Sequence, residues 1–272
     1  MKLAFIGYGE VGQTFARQLL ARGDIEVAAY DILFDAGALA ERARQAGVTA
    51  ARNAAEAARG ADVVISAVTA DAVLGVAREA QTYLKRTQFF FDINSASPNT
   101  KTRAAEIVNK TGGHYIEGAV MAAVLAPGIT VPILAGGPAA AELATRMNAI
   151  GMNVRAVAIE YGRASAMKLC RSIVMKGLEV LTVECGRAAA FWDVADEVFG
   201  SLEATYPGMN WAALAENSAE RVSNHGLRRA AEMREAADMI TDMALNAALA
   251  KAIADAQERG AKAARDTKAD AA

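Results

Sequence analysis

Apolar residues fall into two patterns along this chain. Up to about residue 158, short apolar runs alternate with stretches in which apolar positions recur every three or four residues. The runs at 3–6, 26–30, 62–67, 88–91, 114–117, 130–135 and 153–158 predict strands, most of them apolar on both faces, with a short strand at 48–49. The periodic stretches predict helices after Gly12 and at 36–46, 53–59, 98–110 and 139–150, with another opening at Asp71 as its cap. Strand and helix in alternation predict an α/β fold built on a mainly parallel, doubly wound sheet. Beyond Gly162 no stretch reads as a strand. One long helix is predicted over 165–191, with others at 192–202, 211–222 and 227–258. The expected organisation is therefore an α/β domain over 1–160, an all-helical domain over 161–260 and a charged, Ala-rich tail over 261–272 that frays.

The first strand runs directly into Gly7-Tyr8-Gly9-Glu10-Val11-Gly12 and then into a helix marked by Phe15, Ala16, Leu19 and Leu20. Strand, glycine turn and helix together form the context that a dinucleotide fingerprint requires. Gly7 allows the tight turn, Gly9 lets a pyrophosphate approach the backbone, and Gly12 lets helix and strand pack closely. The helix N-terminus presents N–H groups and partial positive charge to the phosphates. The second strand ends on Asp31, an acid at the distance suited to the adenosine ribose hydroxyls. Its carboxylate repels the extra phosphate of NADP, and no Arg or Lys follows it until Arg42, so NAD is preferred over NADP.

Composition narrows the classes. The chain has 272 residues, 53% of them hydrophobic, and a formal charge of −2, which points to neither a nucleic-acid nor a membrane-surface partner. No apolar run is long enough to span a bilayer. The N-terminus carries the first strand itself, so no leader is expected and the reading is cytoplasmic. Cys170 and Cys185 fall in one predicted helix, roughly 22 Å apart at about 1.5 Å per residue, which is too far for a disulfide. With two His and two Cys, well separated, no metal site is expected.

In a parallel sheet, the loops beyond the carboxyl ends of the strands face the ligand. That places Val68 and Thr69 beside the nucleotide, together with Asn94 and Ser95, whose short polar side chains can bond a carboxamide, a hydroxyl or a carboxylate. Ser95 or Ser97 can also cap the helix that Pro98 begins. Proton chemistry points to Lys168, in the first turns of the long helix. Ser172 and Lys176 share its face at i+4 and i+8. The helix N-terminus and the second cation both disfavour the charged form of Lys168, which moves it toward use as a general base or acid.

The segments KLAFIGYGEVG, AVTAD, DINSASP, EGAVMAA and GRASAMKLCRS give the chain a resemblance to the β-hydroxyacid dehydrogenase family, which includes 3-hydroxyisobutyrate and 6-phosphogluconate dehydrogenases. The resemblance covers nearly the whole length. It implies a Rossmann domain, a helical domain entered by a long helix, a homodimer, and a catalytic lysine early in that helix, a position Lys168 occupies. Two departures affect the substrate. Where the family usually reads D-x-P-V-S-G-G, this chain has Glu117-Gly118-Ala119-Val120-Met121-Ala122-Ala123, with Met121 in place of a substrate-binding serine. Ser172 stands where the family usually has Asn. Both resemble a subgroup with a divergent C-terminal region, marked here by Asn224-His225-Gly226-Leu227-Arg228-Arg229-Ala230-Ala231-Glu232-Met233.

The expected activity is hydride transfer between NAD(P) and a β-hydroxy acid or related polyol acid, with Lys168 as general acid/base. Ser95, Gly118, Ala119, Val120, Met121 and Ser172 are the expected substrate contacts. Arg229, with Arg228 as second choice, is expected to take the substrate carboxylate in two parallel bonds beside His225. Reduction of an imine in the same site, or a redox-silent NAD sensor or scaffold, are the alternatives.

Overall fold

A computed structural model describes residues 1–270, with side chains through Ala263. The chain divides into two compact units, Met1–Lys168 and Leu169–Ala272.

The first unit is an eight-stranded sheet flanked by helices. Its strands are β1 (Lys2–Ile6), β2 (Glu26–Tyr30), β3 (Thr49–Ala50), β4 (Val63–Ser66), β5 (Phe89–Asp92), β6 (His114–Val120), β7 (Pro132–Gly136) and β8 (Asn153–Ala158). They lie in the order β3-β2-β1-β4-β5-β6-β7-β8. Every pairing is parallel except β6 with β7. Alternate strand residues feed two separate cores. Leu3, Phe5, Val27, Ile65 and Phe91 pack on one face, and Ala4, Ile6, Ala28, Val64 and Phe90 on the other. A sheet buried on both sides is what the unbroken apolar runs predict. The intervening helices are α1 (Glu10–Leu20), α2 (Ala38–Gln45), α3 (Ala54–Ala57), α4 (Val73–Ala80), α5 (Pro98–Asn109) and α6 (Ala140–Ala149).

Local differences from the sequence expectation have identifiable causes. Asp71 does not cap α4; it lies inside a 3₁₀ turn, Ala70–Ala72, whose cap position is Thr69. Strand β6 runs past Glu117 to Val120 because residues 117–120 pair antiparallel with β7. At the start of α5, Pro98 occupies the first turn and the Ser97 side chain caps it, as expected.

Helix α7 (Arg163–Phe191) opens in the first unit and continues into the second, followed by α8 (Ala195–Thr205), α9 (Trp211–Asp242) and α10 (Ala248–Asp270). The boundary falls after Lys168 rather than near residue 160. Helix α8 starts later than expected because Asp193 turns the chain at φ 56°. The break expected at 223–226 is absent, and α9 passes through it unbroken. Gly226 serves packing there, since a Cβ would run into the Gln257 carbonyl of α10. The actual break lies at 243–247, where Ala244 takes φ 57° and Asn246 caps α10 through Ala248 N at 2.9 Å. The tail expected from residue 261 is helical in backbone to Asp270, and residues 271–272 lie outside the described residues.

Candidate active site

The nucleotide end of the site is built on β1 and α1. Gly7 turns at φ +96°, and a Cβ there would strike the Ala67 carbonyl beyond β4. At Gly12 a Cβ would sit 2.6 Å from the Gly7 carbonyl, so strand and helix meet as closely as expected. Nothing lies within 4 Å of where a Gly9 Cβ would be, so Gly9 faces open space. Helix α1 starts on Gly9 without a side-chain cap. Its first-turn N–H groups around Glu10 and Val11 have no partners within the helix and are left for an anionic ligand. These are the features that a dinucleotide's pyrophosphate needs, and the residues present fit it.

Tyr8 contributes backbone only. Its ring is 2% exposed and lies edgewise on Phe34, while burial pushes its hydroxyl above the usual tyrosine range. Asp31 Oδ2 accepts from Tyr8 N at 2.7 Å, and Oδ1 accepts from Leu33 N at 2.9 Å. Each carboxylate oxygen retains a second lone pair, so the acid is held rigidly and can still accept a ribose hydroxyl.

The strand-end loops are tied together from beneath. Asp92, at the end of β5, is 1% exposed, and its Oδ1 pairs with the fully buried Lys101 Nζ of α5 at 2.7 Å. Asp92 Oδ2 accepts from Tyr115 Oη at 2.6 Å. Burial, and then the Asp92 charge, push the Tyr115 hydroxyl well above its usual range. Asn94 completes the network. Its Nδ2 donates to Asp92 Oδ1 at 2.6 Å and Ser66 Oγ at 2.9 Å, and its Oδ1 accepts from Val68 N. From sequence the Asn94 side chain is expected on the nucleotide. The structure instead spends it on the protein, because it is 4% exposed and bonded at both ends. What it achieves is to fasten the Val68–Thr69 loop to the Ser95 loop, while Thr69 itself is exposed. No local pattern marks Asp92, Lys101 and Tyr115 as partners; they meet through the pairing of β5 with β6 and the packing of α5 on the sheet.

Lys168 reaches the same loop, its Nζ donating to Ser95 Oγ. A lysine and a serine separated by 73 positions are thereby brought together beside the glycine turn's neighbouring loops. Glu117, fully buried midway along β6 where its pairing with β5 ends, accepts from Ala164 N at 2.9 Å and Ser165 Oγ at 2.8 Å in the first turn of α7.

The stretch after Glu117 requires a correction. Gly118 and Ala119 are expected in a substrate loop but are buried strand residues, in register with Ala135 and Leu134 of β7. A Cβ at Gly118 would sit 2.7 Å from the Phe91 ring. Val120 and Met121 are half-buried at the strand's end, with Met121 packed against the small cluster of Ala119, Leu134 and Ala164.

In the helical unit, polar side chains meet one another. Ser172 Oγ donates to Glu232, and the buried Lys176 Nζ donates to Ser172 Oγ at 3.2 Å and Glu232 Oε1 at 3.0 Å. Burial pulls Lys176 below its usual range, opposed by the Glu232 charge. The second cation expected near Lys168 is therefore half of an ion pair. Arg229 is also committed, contrary to its expected role. Its Nε donates to Glu179 Oε2 at 2.9 Å and its Nη2 to Glu179 Oε1, a fork closed on a carboxylate that is 2% exposed. Glu232 is thus shared by Ser172 and Lys176. His225 and Arg228 are exposed.

The family described as the NAD binding domain of 6-phosphogluconate dehydrogenase matches residues 2–158. The chain belongs to that family. Residues 189–260 match a second family, described as a domain of unknown function (DUF1932), which accounts for the divergent C-terminal region. A conserved hypothetical protein from Sinorhizobium meliloti 1021 is 38% identical, with 95% of this chain and 87% of that one covered and a TM-score of 0.81. The conserved protein MTH1747, of unknown function and described as structurally similar to 3-hydroxyacid dehydrogenases, is 32% identical over 97% and 98% of the two chains, with a TM-score of 0.78. The 3-hydroxyisobutyrate dehydrogenase of Mycobacterium tuberculosis, solved with L-serine, shares the fold at 19% identity, a TM-score of 0.78 and coverage of 96% and 94%. The Rossmann-plus-helical architecture and the expected subgroup of the family both hold.

Proposed function

We propose that this protein is an NAD-dependent dehydrogenase of a β-hydroxy acid or related polyol acid, with Lys168 as its general acid/base. The observation that carries the reading is the bond from Lys168 Nζ to Ser95 Oγ, on a loop fastened through Asn94 to the loop after β4. The α1 N-terminus around Gly9, Glu10 and Val11 holds the pyrophosphate, and Asp31 holds the adenosine ribose. Bound NAD supplies the hydride acceptor. Lys168 takes the alcohol proton in oxidation and returns it in reduction, and Ser95 orients the amine. Val120 and Met121 border the substrate. NAD is favoured over NADP because the Asp31 carboxylate faces the position of the extra phosphate and no cation follows it up to Arg42.

The test is NADH formation at alkaline pH across a panel of short β-hydroxy and polyol acids. Turnover of at least one acid is expected. NAD binding without turnover of any acid would contradict the reading and leave an NAD sensor; reduction confined to imines would replace the substrate class.

A homodimer belongs to the same reading. Val174, Leu181 and Ala188 recur at seven-residue spacing on the exposed side of α7, followed by exposed Phe191 and Trp192, a repeat suited to packing against a second helix. A single-chain mass in sedimentation would remove it.

A further inference from the structure

We propose that Glu117 is the positioning residue for Lys168: its buried carboxylate seats the first turn of α7 on the middle of β6 and so fixes where the Lys168 amine meets Ser95. The inference deepens the dehydrogenase reading and rests on it for its catalytic consequence. Three observations support it.

First, Glu117 is 0% exposed, and a buried carboxylate is costly unless its oxygens are satisfied. Its Oε1 accepts from Ala164 N and its Oε2 from Ser165 Oγ, so both oxygens are committed to residues three and four positions before Lys168. Second, its neighbour in register is Asp92, and the two paired acids are balanced by different devices. Asp92 faces the ammonium of Lys101 at 2.7 Å. Glu117 faces a helix N-terminus, whose orphan N–H groups and partial positive charge suit a carboxylate. The structure thus uses Glu117 to hold a helix that carries a functional lysine, where a lysine partner would have sufficed for charge alone. Third, the surroundings make room for the clamp. Gly136 of β7 lies opposite Glu117, and a Cβ there would collide with Glu117 Oε1. Ala164, just above, is fully buried against Ala119 and Leu134.

The reach of the side chain is the testable variable. Glu117→Asp keeps the charge but withdraws the carboxylate by one methylene from Ala164 N and Ser165 Oγ. Glu117→Gln keeps the reach and an acceptor oxygen, and the Ser165 hydroxyl can turn to accept from the amide. We expect Glu117→Asp to lower kcat about tenfold or more, as small misplacements of a reacting group do, with KM for the acid and NAD affinity unchanged, and Glu117→Gln to restore most of kcat. Amide hydrogen exchange over residues 162–168 should accelerate in Glu117→Asp and not in Glu117→Gln. A role in stability alone would lower the melting temperature of both variants and leave kcat intact; that result, or unchanged exchange in Glu117→Asp, would overturn the proposal. If the wild type turns over no hydroxy acid, the dehydrogenase reading fails by itself, and the exchange result alone then upholds or overturns the clamp.

Discussion

The two units use buried polar groups differently. In the sheet unit such groups hold the segments that the proposed function sets around the nucleotide: Asp92, Lys101, Tyr115 and Asn94 beneath the Val68 and Ser95 loops, and Glu117 beneath the start of α7. In the helical unit they sit along helix faces and satisfy one another, as Arg229 with Glu179 and Lys176 with Glu232. The difference shows that a buried charge near a strand end is evidence about a site, whereas one inside a helix bundle is first evidence about packing.

The largest expected effect tests the second half of that comparison. Arg229→Ala leaves Glu179 buried without its closest cation, with Arg221 at 3.7 Å and the Gln257 amide at 3.2 Å remaining. It should cost about 3 kcal/mol in urea denaturation, with KM for the acid unchanged in the folded enzyme. A large rise in KM with little loss of stability would break the comparison and return Arg229 to the substrate.

The next effect separates structural from functional glycines within the sheet unit. Gly12→Ala forces a Cβ toward the Gly7 carbonyl and should lose about 1–3 kcal/mol of stability. Gly9→Ala meets nothing in the protein and should fold normally, yet weaken NAD by about tenfold, or about 1.4 kcal/mol, in calorimetric titration. Equal behaviour of the two variants would contradict the assignment of Gly9 to the pyrophosphate.

How far the sequence went follows the same division. The bounds of strands β2 and β8 are legible to the residue, β2 as a short apolar run buried at its centre and β8 as a run carrying Val154, Ala156, Val157 and Ala158. The glycine turn, Asp31 and Ser95 stand out as candidates because each lies at a boundary between elements, and Lys168 because it lies in the first turns of a long helix. Partners contributed by strand pairing or by the packing of a helix on the sheet are not legible: nothing local links Tyr115 to Asp92 or Glu117 to Ser165. In the helical unit, Gly226 reads as a break and Arg229 as a substrate fork, because sequence spacing shows the face of one helix but not what packs against it. Gly226 is explained by the Gln257 carbonyl, and Arg229 by Glu179 fifty positions earlier.

A smaller effect sharpens the cofactor choice. Asp31→Asn keeps one acceptor oxygen but removes the charge that opposes a second phosphate. It should raise the ratio of NADP to NAD kcat/KM by about tenfold. A ratio that does not move would show that the carboxylate does not set the preference.

The central claim is that Lys168 handles the proton at a site where the nucleotide is held by other residues. The direct measurement is hydride transfer and NAD affinity on the same preparations of wild type and Lys168→Ala, using the best acid from the panel. The account predicts unchanged NAD affinity with kcat/KM lowered by about 10²–10⁴-fold, the range for loss of a general acid/base. Hydride transfer that survives in Lys168→Ala at a rate near wild type would contradict it.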